Sequence, residues 1–323
     1  MAIETHAISQ CCWCQQYLIR TEAIPFWTCA TPACATRINS WNIAICDTDS
    51  KGKVKFTRGV PTVRQMVFLP TPRATVFFER QAQTKYTLFG GAKYVAKSFT
   101  LRWGAYRECM RIPNFRVLLL RRTFQQLEIS HLLDMPAEAK QLELLGAQYK
   151  QGAREFCFAN GSLIKAGHCE TTADAANYLS SSWDLIIFDE IVTFEVETMF
   201  LPISTCARST KPQVVAEGGG KVWAATNPGG RGAAWVPEFF IEKTPDRERY
   251  PEYHPDEWSY VPGVLEDNPY APKGYRQTLM NLPPILRRQW LYSDWSAFEG
   301  QFFEFMAQHD GQPWHVRDLG LVA

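Results

Sequence analysis

From about residue 60 of this 323-residue chain, short apolar runs alternate with longer stretches of helical character. Each run is continuously apolar, which is typical of strands buried on both faces of a parallel sheet. We therefore predict strands at 86–89, 117–120, 185–188 and 222–225, and a helix over 99–110. Two apolar runs within 155–164 meet at an Asn-Gly dipeptide, which favours a β-hairpin. The pattern predicts an α/β fold with a central, mostly parallel sheet flanked by helices.

The two ends of the chain differ from this middle part. After residue 230 the pattern becomes irregular and rich in proline, with helices predicted over 274–282 and 285–291. The polar stretch 47–55 reads as a linker. We predict three units, which are a cysteine-rich module (1–50), an α/β core (51–265) and a helical subdomain or linker (266–323).

Composition narrows the class of protein. Hydrophobic residues make up 46% of the chain and aromatic residues 13%, enough for a well-buried core. A net charge of +1 creates no global attraction to nucleic acid, so contact with a polyanion needs a local patch. No run of 18 apolar residues predicts a membrane span, and the first residues do not form a secretory signal. We therefore predict an intracellular protein without a membrane partner.

Six of the ten cysteines lie in the first 46 residues. Cys11-x2-Cys14 and Cys29-x4-Cys34 are close to the paired spacing of a zinc ribbon, in which two turns each offer two thiolates to Zn²⁺. In a reducing compartment metal ligation is favoured over disulfides. A set of reduced, buried cysteines is the alternative.

A glycine-containing segment joins the first predicted strand to the following helix. From its second glycine it reads G-x-x-x-x-A-K-S, which differs from the usual phosphate-binding loop at one residue, because alanine stands at the second glycine position. In such a loop the lysine reaches the β- and γ-phosphates and the hydroxyl holds Mg²⁺. An ordinary strand-turn-helix corner is the alternative. The predicted nucleotide-binding residues are Gly90, Gly91, Ala92, Lys93, Tyr94, Val95, Ala96, Lys97 and Ser98.

Polar residues end three of the other predicted strands. Asp189 and Glu190 can serve as a magnesium ligand and as the residue that orients the attacking water. Thr226 and Asn227 precede Pro-Gly-Gly and can contact the γ-phosphate, although a simple turn is the alternative. The pair Arg121 and Arg122 can meet a nucleotide or a neighbouring subunit. The carboxyl ends of parallel strands are where ligands bind in open α/β sheets.

Eight segments, taken in order, resemble the large terminase subunit of tailed bacteriophages, in its ATPase half. The resemblance covers about residues 65 to 305. The segments are FGGAKYVAKS, LLLRRTFQQLEIS, FANGSLIKAGHCE, WDLIIFDE, AATNPGG, GAAWVPEFFI, NPYAPKGYRQTLMNLP and SDWSAFEGQFF.

The resemblance implies a P-loop NTPase core of the class with an additional strand and a catalytic glutamate (ASCE). Lys97 and Ser98 match the Walker A lysine and hydroxyl, and Asp189 and Glu190 match the Walker B pair. Asn227, with Thr226, matches the motif that couples hydrolysis to movement. The implied activity is MgATP hydrolysis that drives double-stranded viral DNA into a procapsid. The implied partners are DNA, the portal protein and the small terminase subunit. The implied assembly is a homo-oligomeric ring on the portal and a monomer in free solution. The implied location is the host cytoplasm and, transiently, the portal vertex.

Several positions depart from the family pattern. Val95 and Ala96 replace glycines, which is tolerable if Ala96 does not need a positive φ. Ala74 stands where an adenine-reading glutamine is common. Arg208 is the first candidate for an arginine finger acting on a neighbouring subunit and Arg231 the second, with plain surface arginines as the alternative. Residues 294–300 resemble the lead-in to the family's nuclease domain, and nuclease activity is not expected from this chain.

Two other functions remain open at this stage. One is a zinc-containing DNA- or protein-binding module with a degenerate, weakly active nucleotide fold, for which the glycine-poor loop argues. The other is a different P-loop translocase or helicase, which would share the nucleotide site but not the ordered segments after residue 230.

Overall fold

The computed structural model of the protein describes residues 67–297 in full. Upstream it describes Ile43, Asp49 and the backbone of eight short strands, so Cys11, Cys14 and Cys34 lie outside the described residues, as does the side chain of Cys29. The upstream strands are β1 (Glu4–Gln10), β2 (Tyr17–Thr21), β3 (Ile24–Cys29), β4 (Arg37–Ile38), β5 (Ile43–Cys46), β6 (Phe56–Thr57), β7 (Val60–Pro61) and β8 (Val63–Phe68).

The central sheet has eight strands in the order β11-β12-β13-β10-β14-β15-β9-β16. They are β9 (Tyr86–Gly91), β10 (Arg116–Arg121), β11 (Ala147–Lys150), β12 (Glu155–Phe158), β13 (Leu163–His168), β14 (Leu185–Asp189), β15 (Lys221–Thr226) and β16 (Trp258–Gly263). The six strands from β13 to β16 in this order pair in parallel, and β11 and β12 add an antiparallel edge. β15 lies between β9 and β14, and the predicted central, mostly parallel sheet flanked by helices is confirmed.

Ten α-helical segments accompany these strands in the part of the chain that is described. They are α1 (Pro72–Gln83), α2 (Lys97–Arg111), α3 (Phe124–Leu127), α4 (Met135–Gln141), α5 (Thr172–Leu179), α6 (Leu201–Ser204), α7 (Pro212–Ala216), α8 (Trp235–Pro237), α9 (Tyr275–Met280) and α10 (Pro284–Trp290). π-Helical turns at Glu128–Leu132, Val196–Phe200 and Glu238–Glu242 continue α3, precede α6 and follow α8. No helix within residues 67–297 is long and apolar enough to cross a membrane.

The core lies in two layers, one on each face of the sheet. Along β10, Val117 and Leu119 pack on the face covered by α1 and α2, whereas Leu118 and Leu120 pack on the opposite face. Alternate residues of a strand point to opposite faces, so a strand covered on both sides must be apolar throughout. This explains the continuous runs from which the strands were predicted.

The structure confirms most predicted elements and extends them. The four predicted strands are each longer by one or two residues, the helix over 99–110 is α2, and the hairpin turns at Asn160-Gly161 between β12 and β13. The expectation of irregular chain after residue 230 was wrong for β16. Pro262 lies in that strand, which is tolerated because β16 is at the edge of the sheet.

Candidate active site

The segment that joins β9 to α2 contains three residues with a positive φ. Its left-handed residues are Gly91 (φ 122°), Tyr94 (φ 66°) and Ala96 (φ 63°). Ala96 therefore does need a positive φ, and the condition under which alanine would be tolerated without strain is not met. The 15-residue helix α2 begins at Lys97, so its positive dipole end faces the loop, where anions are favoured.

Three consecutive loop residues are held by the C-terminal part of the described chain. The backbone N–H of Ala92 donates to the Gly263 carbonyl at 2.9 Å, and that of Lys93 donates to the Trp290 carbonyl at 2.8 Å. Asn268 Nδ2 donates to the carbonyl of the next residue, Tyr94, at 2.7 Å. The loop conformation therefore depends on residues about 170 to 200 positions away in the sequence.

Lys97 lies buried at the start of α2. Its Nζ donates to the carbonyl of Ala92 at 2.7 Å, which places the ammonium group inside the curve of the loop. Burial lowers the pKa of Lys97 to about 8, against the opposite pull of the Glu190 and Asp189 carboxylates. A polyphosphate in the loop would meet this cation directly.

Ser98 and Asp189 meet although 91 positions separate them. Ser98 Oγ lies 2.9 Å from Asp189 Oδ2 and 3.1 Å from Oδ1, and the carboxylate is buried. Burial by itself would raise the pKa of Asp189, but the hydrogen bond from His131 and the charge of Arg121, at 3.2 Å, hold it well below its ordinary value. Asp189 is therefore ionised at any physiological pH.

This pair fits a magnesium ion bound together with a nucleotide. Mg²⁺ is commonly held by one or two carboxylates plus substrate phosphates rather than by an all-protein cage. The Ser98 hydroxyl and the ionised Asp189 carboxylate are oxygen donors of this kind beside a loop that suits anions. Within the described residues no group of three His, Cys, Asp or Glu side chains could hold a metal ion alone.

Glu190 follows Asp189 in a left-handed conformation (φ 60°, ψ 56°) that turns its side chain out of the strand direction. Thr226 Oγ1 donates to Glu190 Oε1 at 3.1 Å, and Arg121 Nη1 lies 3.7 Å from Oε2. Burial and the neighbouring Asp189 charge raise the pKa of Glu190. A carboxylate of raised pKa that is oriented by hydrogen bonding suits the role of a base for water.

Asn227 links the end of β15 to the phosphate loop, because its Nδ2 donates to the carbonyl of Gly91 at 2.7 Å. A cavity of about 240 Å³ opens between these elements. It is lined by residues 94–99 together with Asp189, Glu190 and Asn227. A second cavity of about 720 Å³ shares Glu190 and Asn227 and extends towards Arg231 and α10.

The predicted arginines and Lys93 occupy different places. Arg121 contacts both acidic residues of the site, whereas Arg122 pairs with Glu195 and contacts the Met199 sulfur. Lys93 Nζ lies 3.2 Å from the centroid of the Trp290 ring.

Arg208 is exposed and bonds to Ser181 and Ser182 before β14 begins, at the opposite edge of the sheet from Asp189. Its role as an arginine finger acting on a neighbouring subunit stays a prediction.

Sequence reasoning missed His131, Asn268 and Trp290. His131 Nε2 lies 2.9 Å from Asp189 Oδ2. Each is more than 50 positions from the group it contacts, and only Asn268 lies in one of the segments that carry the resemblance. For His131 no signal beyond a lone histidine after β10 was available.

No family model matches the chain, and no curated protein matches it in sequence. Solved structures do match. The large terminase of a thermophilic bacteriophage has a TM-score of 0.55 at 10% identity, covering 71% of this chain and 54% of that one. Its complex with ADP gives 0.51 at 12%, covering 70% and 53%. The ATPase domain of the Thermus phage P74-26 large terminase gives 0.50 at 16%, covering 71% and 94%.

The chain spans about half the length of the first of these large terminases, and it matches nearly the whole of the P74-26 ATPase domain. Similarity at such low identity establishes a fold, while function has to be argued from the site. The chain therefore has the fold of the ATPase domain of tailed-phage large terminases, as its ordered sequence segments imply.

Proposed function

We propose that this chain is the ATPase of a viral DNA-packaging motor and that MgATP binds between the phosphate loop and the end of β14. The observation that carries the proposal is the contact of Ser98 with Asp189 at 2.9 Å, with Lys97 and Glu190 on either side. Four residues from two distant segments meet there in the roles that phosphoryl transfer needs. One structural neighbour is a large terminase in complex with ADP, which supports a nucleotide ligand.

The residues divide the work of hydrolysis as follows. Lys97 and the loop bind the β- and γ-phosphates. Ser98 and Asp189 would hold the magnesium ion, which neutralises charge on the phosphates. Glu190 accepts a proton from, or orients, the attacking water, and Thr226 fixes the direction of its carboxylate. Catalysis is then mostly positioning and charge stabilisation.

Asn227 is suited to report the state of the γ-phosphate. Its bond to the Gly91 carbonyl ties the end of β15 to the loop that would hold the phosphates. A change in that loop would be passed to the Pro-Gly-Gly turn that follows Asn227, and so towards α10. We propose that this connection couples hydrolysis to movement.

The DNA substrate and the assembly are further parts of the proposal. Double-stranded DNA, the portal protein, the small terminase subunit and a ring of identical subunits would act with this chain in the host cytoplasm, at the portal vertex. DNA contact would be through phosphates and would weaken steeply with salt. Arg208 or Arg231 would serve the neighbouring subunit's site. Zinc at Cys11, Cys14, Cys29 and Cys34 stays a prediction that metal analysis of purified protein tests.

A glutamate substitution tests the proposed reaction. We expect Glu190→Gln to keep MgATP binding and to lower turnover at least about 100-fold, because the amide cannot accept a proton from water. Glu143→Gln, at an exposed position away from the site, is the matched control and should hydrolyse ATP normally. Phosphate release and calorimetric binding measure the two effects. Normal turnover in Glu190→Gln would refute the assignment of Glu190 as the residue that acts on the attacking water.

The binding-module alternative is not favoured, because a degenerate fold has no need to keep these four side chains together. The same calorimetry separates the two functions. Absence of MgATP binding to zinc-replete wild-type protein would support the alternative.

A further inference from the structure

His131 lies completely buried next to the proposed magnesium ligand. It belongs to the π-helical turn Glu128–Leu132, between α3 and α4. Its Nε2 is 2.9 Å from Asp189 Oδ2 and its Nδ1 is 3.1 Å from Arg102 Nη1. π-Helical turns are rare and often occur at functional sites. Both ring nitrogens therefore have a hydrogen-bond partner, and the partner of Nε2 is Asp189.

The partners of His131 determine where its proton is. A guanidinium group has only donors, so Nδ1 must accept the hydrogen bond from Arg102. In the neutral ring the proton then sits on Nε2, and Nε2–H donates to Asp189.

Arg102 is held in place by a buried carboxylate. Its Nε and Nη2 donate to Glu138 at 2.9 and 2.8 Å, and its Nη1 also donates to the Ser130 carbonyl at 3.1 Å. Glu138 accepts two more hydrogen bonds, from Trp103 Nε1 at 3.1 Å and Tyr106 Oη at 2.6 Å. A satisfied buried network of this kind is rigid. It fixes the orientation of the histidine ring.

Asp189 receives its hydrogen bonds unevenly. Oδ2 accepts from His131 at 2.9 Å and from Arg121 at 3.2 Å, and is also the nearer oxygen to Ser98. Oδ1 has a contact with Ser98 alone, at 3.1 Å. The hydrogen bonds thus fix the plane of the carboxylate and leave Oδ1 as the oxygen with room for a cation.

We propose that His131 is a positioning residue for Asp189, and that the chain Glu138–Arg102–His131 orients this carboxylate towards Mg²⁺. The proposal rests on the proposed function. The histidine is suited to the role because both of its ring nitrogens have a partner, so the ring can hold the carboxylate in one orientation. Groups that orient metal ligands in this way commonly contribute 10- to 100-fold to metal affinity or activity.

Two substitutions distinguish a role of His131 in orienting Asp189 from a role in packing alone. In His131→Asn the amide oxygen can replace Nδ1 as the acceptor for Arg102, but the side chain is too short to reach Asp189. In His131→Gln the longer amide can place an N–H where Nε2–H was. We expect His131→Asn to raise the Mg²⁺ concentration for half-maximal ATPase activity about 10- to 100-fold, and His131→Gln to stay close to wild type.

The readout is a Mg²⁺ titration of ATP hydrolysis by the full chain, with thermal unfolding of each variant as the control for folding. Equal impairment of both variants would mean that His131 only supports the fold and would overturn the proposal. Wild-type behaviour of His131→Asn would overturn it as well. A wild-type chain that neither binds nor hydrolyses MgATP would instead refute the proposed function, and this inference with it.

A spectroscopic test needs no substitution in the measured sample. In ¹⁵N-histidine spectra of the wild-type chain, His131 should carry its proton on Nε2 and have an unprotonated Nδ1, with the signal assigned by its absence in His131→Gln. Observation of the opposite tautomer would overturn the proposal, even if the asparagine variant did not fold.

Discussion

Ala96 holds a backbone conformation that favours glycine. Its φ of 63° and ψ of 31° place it in the left-handed region, immediately before Lys97 and the start of α2. This region costs an L-residue with a Cβ roughly 1–2 kcal/mol. The loop keeps this shape because other contacts hold it, notably those to Ala92, Lys93 and Tyr94. The alanine therefore strains the loop without changing the backbone conformation of the loop.

Replacement of this alanine by glycine should relieve the strain. Ala96→Gly removes the left-handed cost but adds about 0.4–1 kcal/mol of unfolded-state entropy. We expect the free energy of unfolding to stay equal or to rise by up to about 1 kcal/mol. Ala176→Gly, at an exposed position within α5, is the control and should lose about 1 kcal/mol. Denaturant unfolding measures both. If Ala96→Gly lost as much free energy of unfolding as Ala176→Gly, the inference that Ala96 is strained would be contradicted.

We expect Lys97 to make nucleotide binding depend on pH. Its pKa is lowered to about 8 in the free protein, and bound phosphates would raise it again because opposite charge favours the ammonium form. Below pH 8 the lysine is already charged. Above pH 8 binding must take up a proton, so MgATP affinity should fall up to about tenfold per pH unit. Calorimetry at pH 7 and 9, in two buffers, would detect this uptake. Its persistence in Lys97→Met would assign it to another group.

Strands β9 and β16 approach each other unusually closely at their carboxyl ends. Gly91 and Gly263 are paired residues, and a Cβ on Gly91 would lie 2.1 Å from the Gly263 carbonyl oxygen. The same carbonyl accepts the hydrogen bond from Ala92 at 2.9 Å. β16 therefore supports the base of the phosphate loop, and only glycine fits at residue 91.

A methyl group at this position should be strongly destabilising. Gly91→Ala meets both a backbone collision and a φ of 122°, so we expect a loss of at least about 3 kcal/mol in the free energy of unfolding. Gly152→Ala is the matched control, because its Cβ would meet no atom within 4 Å. That variant should stay within about 0.5 kcal/mol of wild type. Similar effects of the two substitutions would refute the close approach.

The elements differ in how well the sequence predicted them. β9, β10, β14 and β15 were recognisable because a strand covered on both faces must be apolar throughout. β16 was not, because its Trp-Ser-Tyr-Val-Pro-Gly sequence contains Pro262 and ends at Gly263, two residues that usually mark a turn. Its identity as a strand depends on pairing with β9, which is a tertiary contact that local propensity does not contain.

The active-site residues also divide into two groups at the scale of the whole molecule. Those at strand ends, such as Asp189 and Thr226, could be predicted because parallel strands bring their carboxyl ends to one edge of the sheet. Asn268 and Trp290 could not, since they reach the loop from irregular or helical chain after the last strand. The site is thus assembled across some 200 residues, and nucleotide binding should stabilise the fold as a whole.

Thermal unfolding with and without nucleotide tests this coupling. A ligand that binds only the folded state adds about 2.7 kcal/mol at a concentration 100 times its Kd, so MgADP at that level should raise Tm by several degrees for a chain of this size. Glu190→Gln should keep the shift, because this residue acts on water rather than on the bound phosphates. Lys97→Ala should lose most of it, and removal of Mg²⁺ with a chelator should reduce it. A shift of equal size in Lys97→Ala and wild type would place the nucleotide elsewhere.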